Sequence, residues 1–219
     1  SQVNNAGQVE GFDIDIAEAL CAEIGATCEM VQTEWEAIIP TLEEGKCDAI
    51  VASMSITEER RQRIDFTNRY YQTPAMFAAA EGVDWTDDDA GMAGKTVCVQ
   101  RGTIHHAYVE AKFPSVNLVT YPSQDEVFLD LASGRCDASM ADSIATEDGF
   151  LKTPAGEGFA FFGGPHSDPA IHGEGVGIGL RKSDGELRER LNAAIVAIRE
   201  NGVYAEINAR YFPFDIYGE

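Results

Sequence analysis

Leu42-Glu-Glu-Gly-Lys-Cys-Asp-Ala49 returns later in the chain as Leu131-Ala-Ser-Gly-Arg-Cys-Asp-Ala138. Each copy has the pattern of a helix end, a glycine that stops the helix and the first residues of a strand. The copies are too few and too far apart for a solenoid, so two similar lobes explain them better. Chance similarity between two helix–glycine–strand junctions is the alternative.

Outward from these copies, predicted helices and strands alternate along the chain. The first helix has apolar residues at helical spacing, namely Ile14, Ala17, Cys21 and Ile24, and a glycine follows it. Short apolar stretches between the helices read as strands; they are 27–31, 49–53, 76–80, 96–100, 116–121, 137–141 and 176–181. The alternation predicts an α/β fold with largely parallel sheets.

The composition excludes several classes of partner. The 219 residues carry a net charge of −21, with 16 Lys+Arg against 37 Asp+Glu. Such a surface repels nucleic acid and anionic lipid, because both are bound through Lys and Arg side chains. The charge is compatible with a cationic ligand, although solubility is the simpler explanation. No apolar run reaches the length of a bilayer span, and no leader is visible, so we expect a cytosolic protein or an exported one whose leader was removed.

The five cysteines do not predict a metal site. They occur without a CxxC motif and without a Cys/His cluster of zinc-like spacing, and we expect no cofactor. Cys21 and Cys28 either close a short loop through a disulfide or are free buried thiols. The pattern leaves the states of Cys47, Cys98 and Cys136 open.

A first group of candidate binding residues follows the first copy. Ser53 is five residues past the aspartate of that copy, and the run continues through Ser55 and Thr57 to Arg60. Hydroxyls, the N–H groups of a helix start and a guanidinium can converge there on a carboxylate. A capped surface helix with a solvated arginine is the alternative.

A second group follows the strands of the second half. Asp142 is five residues past the aspartate of the second copy, at the predicted carboxyl end of a strand, where open α/β sheets bind ligands. Gly102 lets the backbone approach a ligand, and Thr103 precedes a helix start with unpaired N–H donors. An acid in one lobe that faces Ser and Arg in the other suits a zwitterion. A plain N-cap at Asp142 and a plain turn at Gly102 are the alternatives.

Trp35 and the histidines complete the candidates. Trp35 is on the first turn of its predicted helix and can offer a flat face to an alkyl chain or a cation, or can be a core aromatic. His105 and His106 are adjacent, point to different sides and make a poor metal pair. No GxSxG, HExxH or paired catalytic signature is present, so we predict no enzyme.

Motifs along nearly the whole chain carry a family resemblance. They are Gly11-Phe-Asp-Ile-Asp-Ile16, Cys47-Asp-Ala-Ile50, Ser53-Met-Ser-Ile-Thr-Glu-Glu-Arg60, Ile64-Asp-Phe66, Gly102-Thr103, Leu131–Ala138, Asp142, Gly149-Phe-Leu-Lys-Thr-Pro154, Gly177-Ile-Gly-Leu-Arg-Lys182 and Tyr211-Phe-Pro-Phe-Asp-Ile-Tyr-Gly218. In this order they resemble the family 3 solute-binding proteins of polar amino acid ABC transporters. The nearest subgroup is the lysine/arginine/ornithine- and histidine-binding proteins.

The resemblance implies the type II periplasmic binding protein fold, with two α/β lobes joined by two crossing strands and the ligand in the cleft. Lobe 1 would comprise residues 1–74 and 176–219, and lobe 2 residues 75–175. By this resemblance, the family's first strand would be absent from lobe 1, because the chain starts close to where that strand should end. In the subgroup this region carries an acid that receives a cationic side chain.

The resemblance also implies a function. The chain would be the substrate-binding component of an amino acid ABC importer that closes on a free L-amino acid, a cationic one such as lysine, arginine or ornithine. Alternatives are histidine, an opine or another polar amino acid, or a dehydratase-type enzyme on the same scaffold. A monomer in the periplasm, exported through a removed signal peptide and partnered by an inner-membrane ABC permease, is implied too.

Site roles carry over from the family to matching positions. Arg60 would pair with the ligand α-carboxylate, assisted by Ser55 and the Thr103 backbone. Asp142 would hold the α-ammonium, and Ser53 would contribute a carbonyl or a hydroxyl.

Further positions bear on the ligand side chain and on the redox state. Trp35 would pack on the ligand side chain. Ala52 replaces a subgroup hydroxyl and His105 a subgroup amide, and both changes could move specificity toward histidine or an opine. Cys21 and Cys28 match the subgroup's disulfide.

Overall fold

The computed structural model describes residues 2–3 and 9–218, which form two compact units. Unit 1 consists of residues 2–3, 9–33, 37–72 and 173–218, and unit 2 of residues 34–36 and 73–172. The predicted lobe 1 also includes residues 1, 4–8 and 219, which are outside the described residues.

Helices and strands alternate through most of the described chain. The helices are α1 (Phe12–Glu23), α2 (Ile38–Glu43), α3 (Glu58–Arg63), α4 (Ile104–Lys112), α5 (Gln124–Ala132), α6 (Ser143–Thr146), α7 (Pro169–His172), α8 (Gly185–Glu200) and α9 (Val203–Tyr211). The strands are β1 (Gln2–Val3), β2 (Val9–Glu10), β3 (Asp65–Phe66), β4 (Ala75–Ala80), β5 (Thr96–Gln100), β6 (Asn117–Tyr121), β7 (Ala138–Asp142), β8 (Phe159–His166) and β9 (Gly179–Leu180). Short 3₁₀ turns at Trp35–Ala37 and Pro154–Gly156 and a π-helical turn at Glu147–Leu151 complete the list.

Unit 2 is a five-stranded mixed sheet between helices. The strand order is β6-β5-β7-β4-β8, with β6, β5 and β7 parallel and β4 antiparallel to both of its neighbours. Successive residues of β5 point to opposite faces: Val97 and Val99 pack in the cluster with Tyr108 of α4, and Cys98 packs in the cluster with Leu131 of α5. Helices therefore cover both faces of the sheet.

Unit 1 joins short strand pairs to helices. β1 pairs with β2 and β3 pairs with β9, both antiparallel. Helix α1 packs against α8 and α9. Its buried residues are Phe12, Asp13, Ile16, Ala17 and Leu20, so of the predicted face only Ala17 is buried. The buried face therefore includes a carboxylate.

The helix end of the repeated sequence has the same structure in both copies. Gly45 and Gly134 end α2 and α5, and both have a φ of 72°. In each copy the glycine N–H donates to the carbonyl three residues earlier at 3.0 Å, and the next N–H donates to the carbonyl five residues earlier at 3.1 or 3.0 Å. These are the two bonds of a Schellman motif, in which glycine is favoured because its φ is positive.

Some local predictions were wrong. Residues 27–31 form no strand, and 49–53 make only an isolated bridge at Ile50. The stretch 176–181 shortens to β9, and the sheet of unit 2 is mixed instead of largely parallel. Strand pairing needs a partner that is distant in sequence, and local apolar patterns do not contain that information. Through residues 2–3 and 9–218, no helix combines the length and apolarity that a membrane crossing requires.

Candidate functional site

The predicted ligand-binding residues are divided between the two units. Ser53, Ser55 and Arg60 are in unit 1, and Trp35, Gly102, Thr103, His105 and Asp142 are in unit 2. Each group has its own local geometry.

In unit 1, the start of α3 organises the segment around Arg60. Thr57 caps the helix, and its hydroxyl accepts a hydrogen bond from the Arg60 N–H at 3.3 Å. The Arg60 side chain turns back, and its Nη1 donates to the carbonyl oxygen of Ser55 at 2.8 Å. Ser55 itself is buried. The structure therefore brings Ser55 and Arg60 into direct contact.

Burial changes the electrostatics of Arg60. It lowers the pKa of Arg60 to about 10, and the negative charge of Glu59 opposes the shift. The guanidinium is still protonated at neutral pH, because this pKa is well above 7. A cation that has lost part of its hydration gains more from an anionic partner than an exposed cation does.

Ser53 is held by two residues, Asp13 and Tyr70, that are not among the predicted site residues. Among the described residues it is the one non-glycine with a positive φ, 51°. Its Oγ donates to Oδ2 of Asp13 at 2.8 Å, and the hydroxyl of Tyr70 donates to Oδ1 of Asp13 at 2.7 Å. Both Asp13 and Tyr70 are buried, and burial raises the Tyr70 pKa well above its ordinary value, with the Asp13 charge adding to the effect.

A sequence signal for Asp13 exists. It precedes Ile16, Ala17 and Leu20 by three, four and seven residues, which is the spacing of one helix face. An acid on an otherwise apolar face indicates a buried carboxylate that needs hydrogen-bond donors.

In unit 2, the turn before α4 presents Gly102 and Thr103. Gly102 has a φ of 72°, a conformation that favours glycine. Thr103 caps α4: its Oγ1 accepts from the N–H of His106 at 3.1 Å and donates to the carbonyl of Gln100 at 2.8 Å. These bonds fix the backbone of the turn at the carboxyl end of β5.

Trp35 lies close to this turn, and His105 is on the helix that follows it. The indole Nε1 of Trp35 donates to the carbonyl oxygen of Gly102 at 3.1 Å, so the structure brings these two predicted residues together. Next to them, Arg101 and Glu36 form an ion pair with an N–O distance of 3.4 Å. His105 is half-buried, on the first turn of α4.

Asp142 is the last residue of β7 and the N-cap of α6. Its Oδ1 accepts from the N–H groups of Ile144 at 2.9 Å and Ala145 at 3.3 Å. Its Oδ2 accepts a hydrogen bond from the hydroxyl of Thr73. These three bonds fix the orientation of the carboxylate at the strand end, so the N-cap role and a ligand role are compatible.

The cysteines form two disulfides. Cys21 pairs with Cys28, which confirms that prediction. Cys98 of β5 pairs with Cys136, which follows α5, and the sequence left this pair open. Cys47 is a free thiol whose pKa is raised by burial. In the part of the chain that the structure describes, no group of three or more His, Cys, Asp or Glu side chains is arranged to hold a metal ion.

A sequence model of the bacterial extracellular solute-binding proteins, family 3, matches residues 1–214. The chain belongs to this family. One relative of this solute-binding protein is the L-arginine-binding protein of Pseudomonas aeruginosa. It is 49% identical over 97% of the chain and 83% of that protein. The histidine-binding periplasmic protein of Salmonella typhimurium is 40% identical over 98% of the chain and 84% of that protein.

Solved structures match this solute-binding protein as well. The periplasmic His/Glu/Gln/Arg/opine family-binding protein from Silicibacter pomeroyi, in complex with lysine, is 34% identical. The match has a TM-score of 0.82 and covers 99% of the chain and 93% of that protein. The comparisons confirm both the family resemblance and the α/β two-lobed fold.

Proposed function

We propose that the protein is the substrate-binding component of an amino acid ABC importer and that it binds a free cationic L-amino acid: lysine, arginine or ornithine. The observation that carries the proposal is the 49% identity to an L-arginine-binding protein across 97% of the chain. The relatives named periplasmic also support a periplasmic location. Export through a removed signal peptide, an inner-membrane permease as partner and a monomeric state belong to the same proposal.

The proposed lobes are residues 1–74 with 176–219 and residues 75–175, and the ligand would bind between them. A ligand that contacts both lobes stabilises the closed state over the open state by its difference in affinity. Binding in this way needs no chemical step, and we propose that the protein is not an enzyme.

In the proposed contacts, Arg60 and Ser55 of lobe 1 bind the carboxylate of the ligand, and Ser53 contacts its ammonium group. Arg60 pairs with it, and its partial burial supports this role because a dehydrated guanidinium binds an anion strongly. Ser55 assists Arg60, to which it is already hydrogen-bonded. Ser53 contributes an acceptor to the ligand ammonium.

Residues of lobe 2, together with Trp35, complete the proposed site. Asp142 binds the α-ammonium, and its fixed orientation supports this role. The Thr103 backbone and Gly102 approach the carboxylate. Trp35 and His105 contact the side chain of the ligand.

A thermal-shift screen of the twenty amino acids, ornithine and octopine tests the ligand class, because a ligand that binds only the folded state raises the melting temperature. We expect arginine, lysine or ornithine to give the largest shift. Calorimetry with arginine and with citrulline, its uncharged analogue, then tests the preference for a cation. A larger shift with histidine or octopine, or equal affinity for citrulline, would assign the ligand to the alternative class.

The role of Arg60 has a matched control on the same helix. Arg60→Ala should abolish binding, with a loss of more than about 100-fold, because an ion-paired hydrogen bond to a desolvated charge is removed. Arg63→Ala removes an exposed arginine that pairs with Glu43, and it should leave affinity unchanged. Retention of affinity within tenfold in Arg60→Ala would refute the carboxylate role.

The dehydratase alternative is tested by incubation with prephenate and arogenate. We expect no turnover. Turnover that disappears in Asp142→Asn, the one acid predicted in the site, would establish the enzyme instead.

A further inference from the structure

We propose that Asp13 is a positioning residue for ligand binding, which holds the main chain of Ser53 in the conformation that contacts the amino acid. The inference rests on the proposed function. It adds Asp13, which supports a predicted ligand-binding residue and is not itself one of them. Asp13 would act entirely through its hydrogen bond to Ser53.

The conformation of Ser53 needs support. A β-carbon makes the left-handed region unfavourable, and such conformations persist where the surroundings enforce them. At Ser53 the φ is 51°, and the hydroxyl is hydrogen-bonded to Asp13 at 2.8 Å. Ser53 is exposed and Asp13 is 3% exposed, so the carboxylate supports Ser53 from the interior.

The hydrogen bond also limits how Ser53 can meet the ligand. The hydroxyl proton is committed to Asp13, so Oγ can meet the ligand ammonium only as an acceptor, through its lone pairs. The main-chain carbonyl, whose direction is set by the left-handed conformation, is the other acceptor of Ser53. The bond to Asp13 therefore holds both acceptors in place.

Asp13 is itself rigidly held. The Tyr70 hydroxyl donates to its other oxygen at 2.7 Å, and the Tyr70 carbonyl accepts from the hydroxyl of Tyr204 at 2.7 Å. Asp13 also lies in the first turn of α1, where the helix dipole favours a negative charge. A buried carboxylate is costly for stability without such donors. Asp13 accepts from the hydroxyls of Tyr70 and Ser53, and it therefore links Ser53 to the buried Tyr70.

Calorimetric titration with L-arginine compares three variants with the wild type. Asp13→Ala leaves Ser53 without its acceptor, and we expect affinity to fall about tenfold, the value of one hydrogen bond to a charged group. Asp13→Asn can accept from Tyr70 and donate to Ser53, so affinity should recover to within about threefold. Thr67→Val is the matched control, because Thr67 is equally buried in unit 1 and accepts from the Ile178 N–H, yet lies outside the network. It should lose stability but not affinity.

A double-mutant cycle separates positioning from a general loss of structure. In the Ser53→Gly background the hydroxyl is absent, so Asp13→Ala should have little further effect on affinity. If Asp13→Ala does not fold, Tyr70→Phe replaces it in the same cycle. Affinity within twofold of wild type in a folded Asp13→Ala protein would overturn the inference, and so would an equal loss in Thr67→Val or an undiminished loss in the Ser53→Gly background. A wild-type protein that binds no amino acid would instead overturn the proposed function.

Discussion

Removal of the two disulfides should destabilise the protein by unequal amounts. Cys98 and Cys136 are 38 residues apart, and Cys21 and Cys28 are seven apart. A disulfide limits the unfolded chain more when it closes a longer loop. The chain-entropy relation gives about 3.9 kcal/mol for the 38-residue loop and about 2.4 kcal/mol for the seven-residue loop at 25 °C. The difference is about 1.5 kcal/mol.

The burial of the cysteines also predicts a larger loss of stability for the Cys98–Cys136 disulfide. Cys98 and Cys136 are 0% and 4% exposed, whereas Cys21 and Cys28 are half-buried. Alanine at the first pair therefore removes more buried sulfur, and this adds to the loss.

Urea unfolding of the two double-alanine variants measures both losses. Circular dichroism follows the whole chain, and tryptophan fluorescence follows unit 2, which contains both tryptophans, Trp35 and Trp85. The midpoint of the fluorescence transition should move to lower urea concentration in Cys98→Ala/Cys136→Ala. It should be unchanged in Cys21→Ala/Cys28→Ala. An equal or larger loss in Cys21→Ala/Cys28→Ala would refute the loop-length argument.

Two further predictions concern acid and the repeated helix ends. Burial lowers the pKa of His166 and of His172, so the unfolded chain binds more protons once the pH falls below its ordinary histidine pKa of about 6.5. The contribution of these histidines to the free energy of unfolding should therefore be fully present above pH 6.5. It should decline as the pH falls toward their lower pKa values in the folded protein. A urea midpoint as high at pH 5.5 as at pH 7.5 would contradict this. Gly45→Ala and Gly134→Ala should each cost about 1 kcal/mol, because both have a φ of 72° and a β-carbon there would meet no other atom within 4 Å. Losses that differ by more than a factor of two between these sites would show that the copies are not structurally equivalent.

Much of the fold could be predicted because it depends on local rules. The glycine stops at Gly45 and Gly134 form the same pair of backbone bonds, as the repeated sequence indicated. A capping box of Ser123 and Glu126 begins α5, and the sequence contains the information for it because both of its bonds join residues three apart. The disulfide of Cys21 and Cys28 followed from the family resemblance, and the structure contains it.

Other features depend on partners that are distant in sequence. The bond of Cys98 to Cys136 requires that β5 and the end of α5 meet, which no spacing rule gives. The direction of β4 follows from its antiparallel pairing with β7, more than fifty residues away. The roles of Asp13 and Tyr70 depend on a contact across 57 residues, although the helical spacing of Asp13 already marked it as buried.

A crystal structure of the protein with L-arginine would show the proposed ligand contacts themselves. We expect one bound arginine whose carboxylate is hydrogen-bonded to Arg60 and whose α-ammonium is hydrogen-bonded to Asp142. Arginine bound elsewhere, or bound to one of these side chains while the other contacts only solvent, would contradict it.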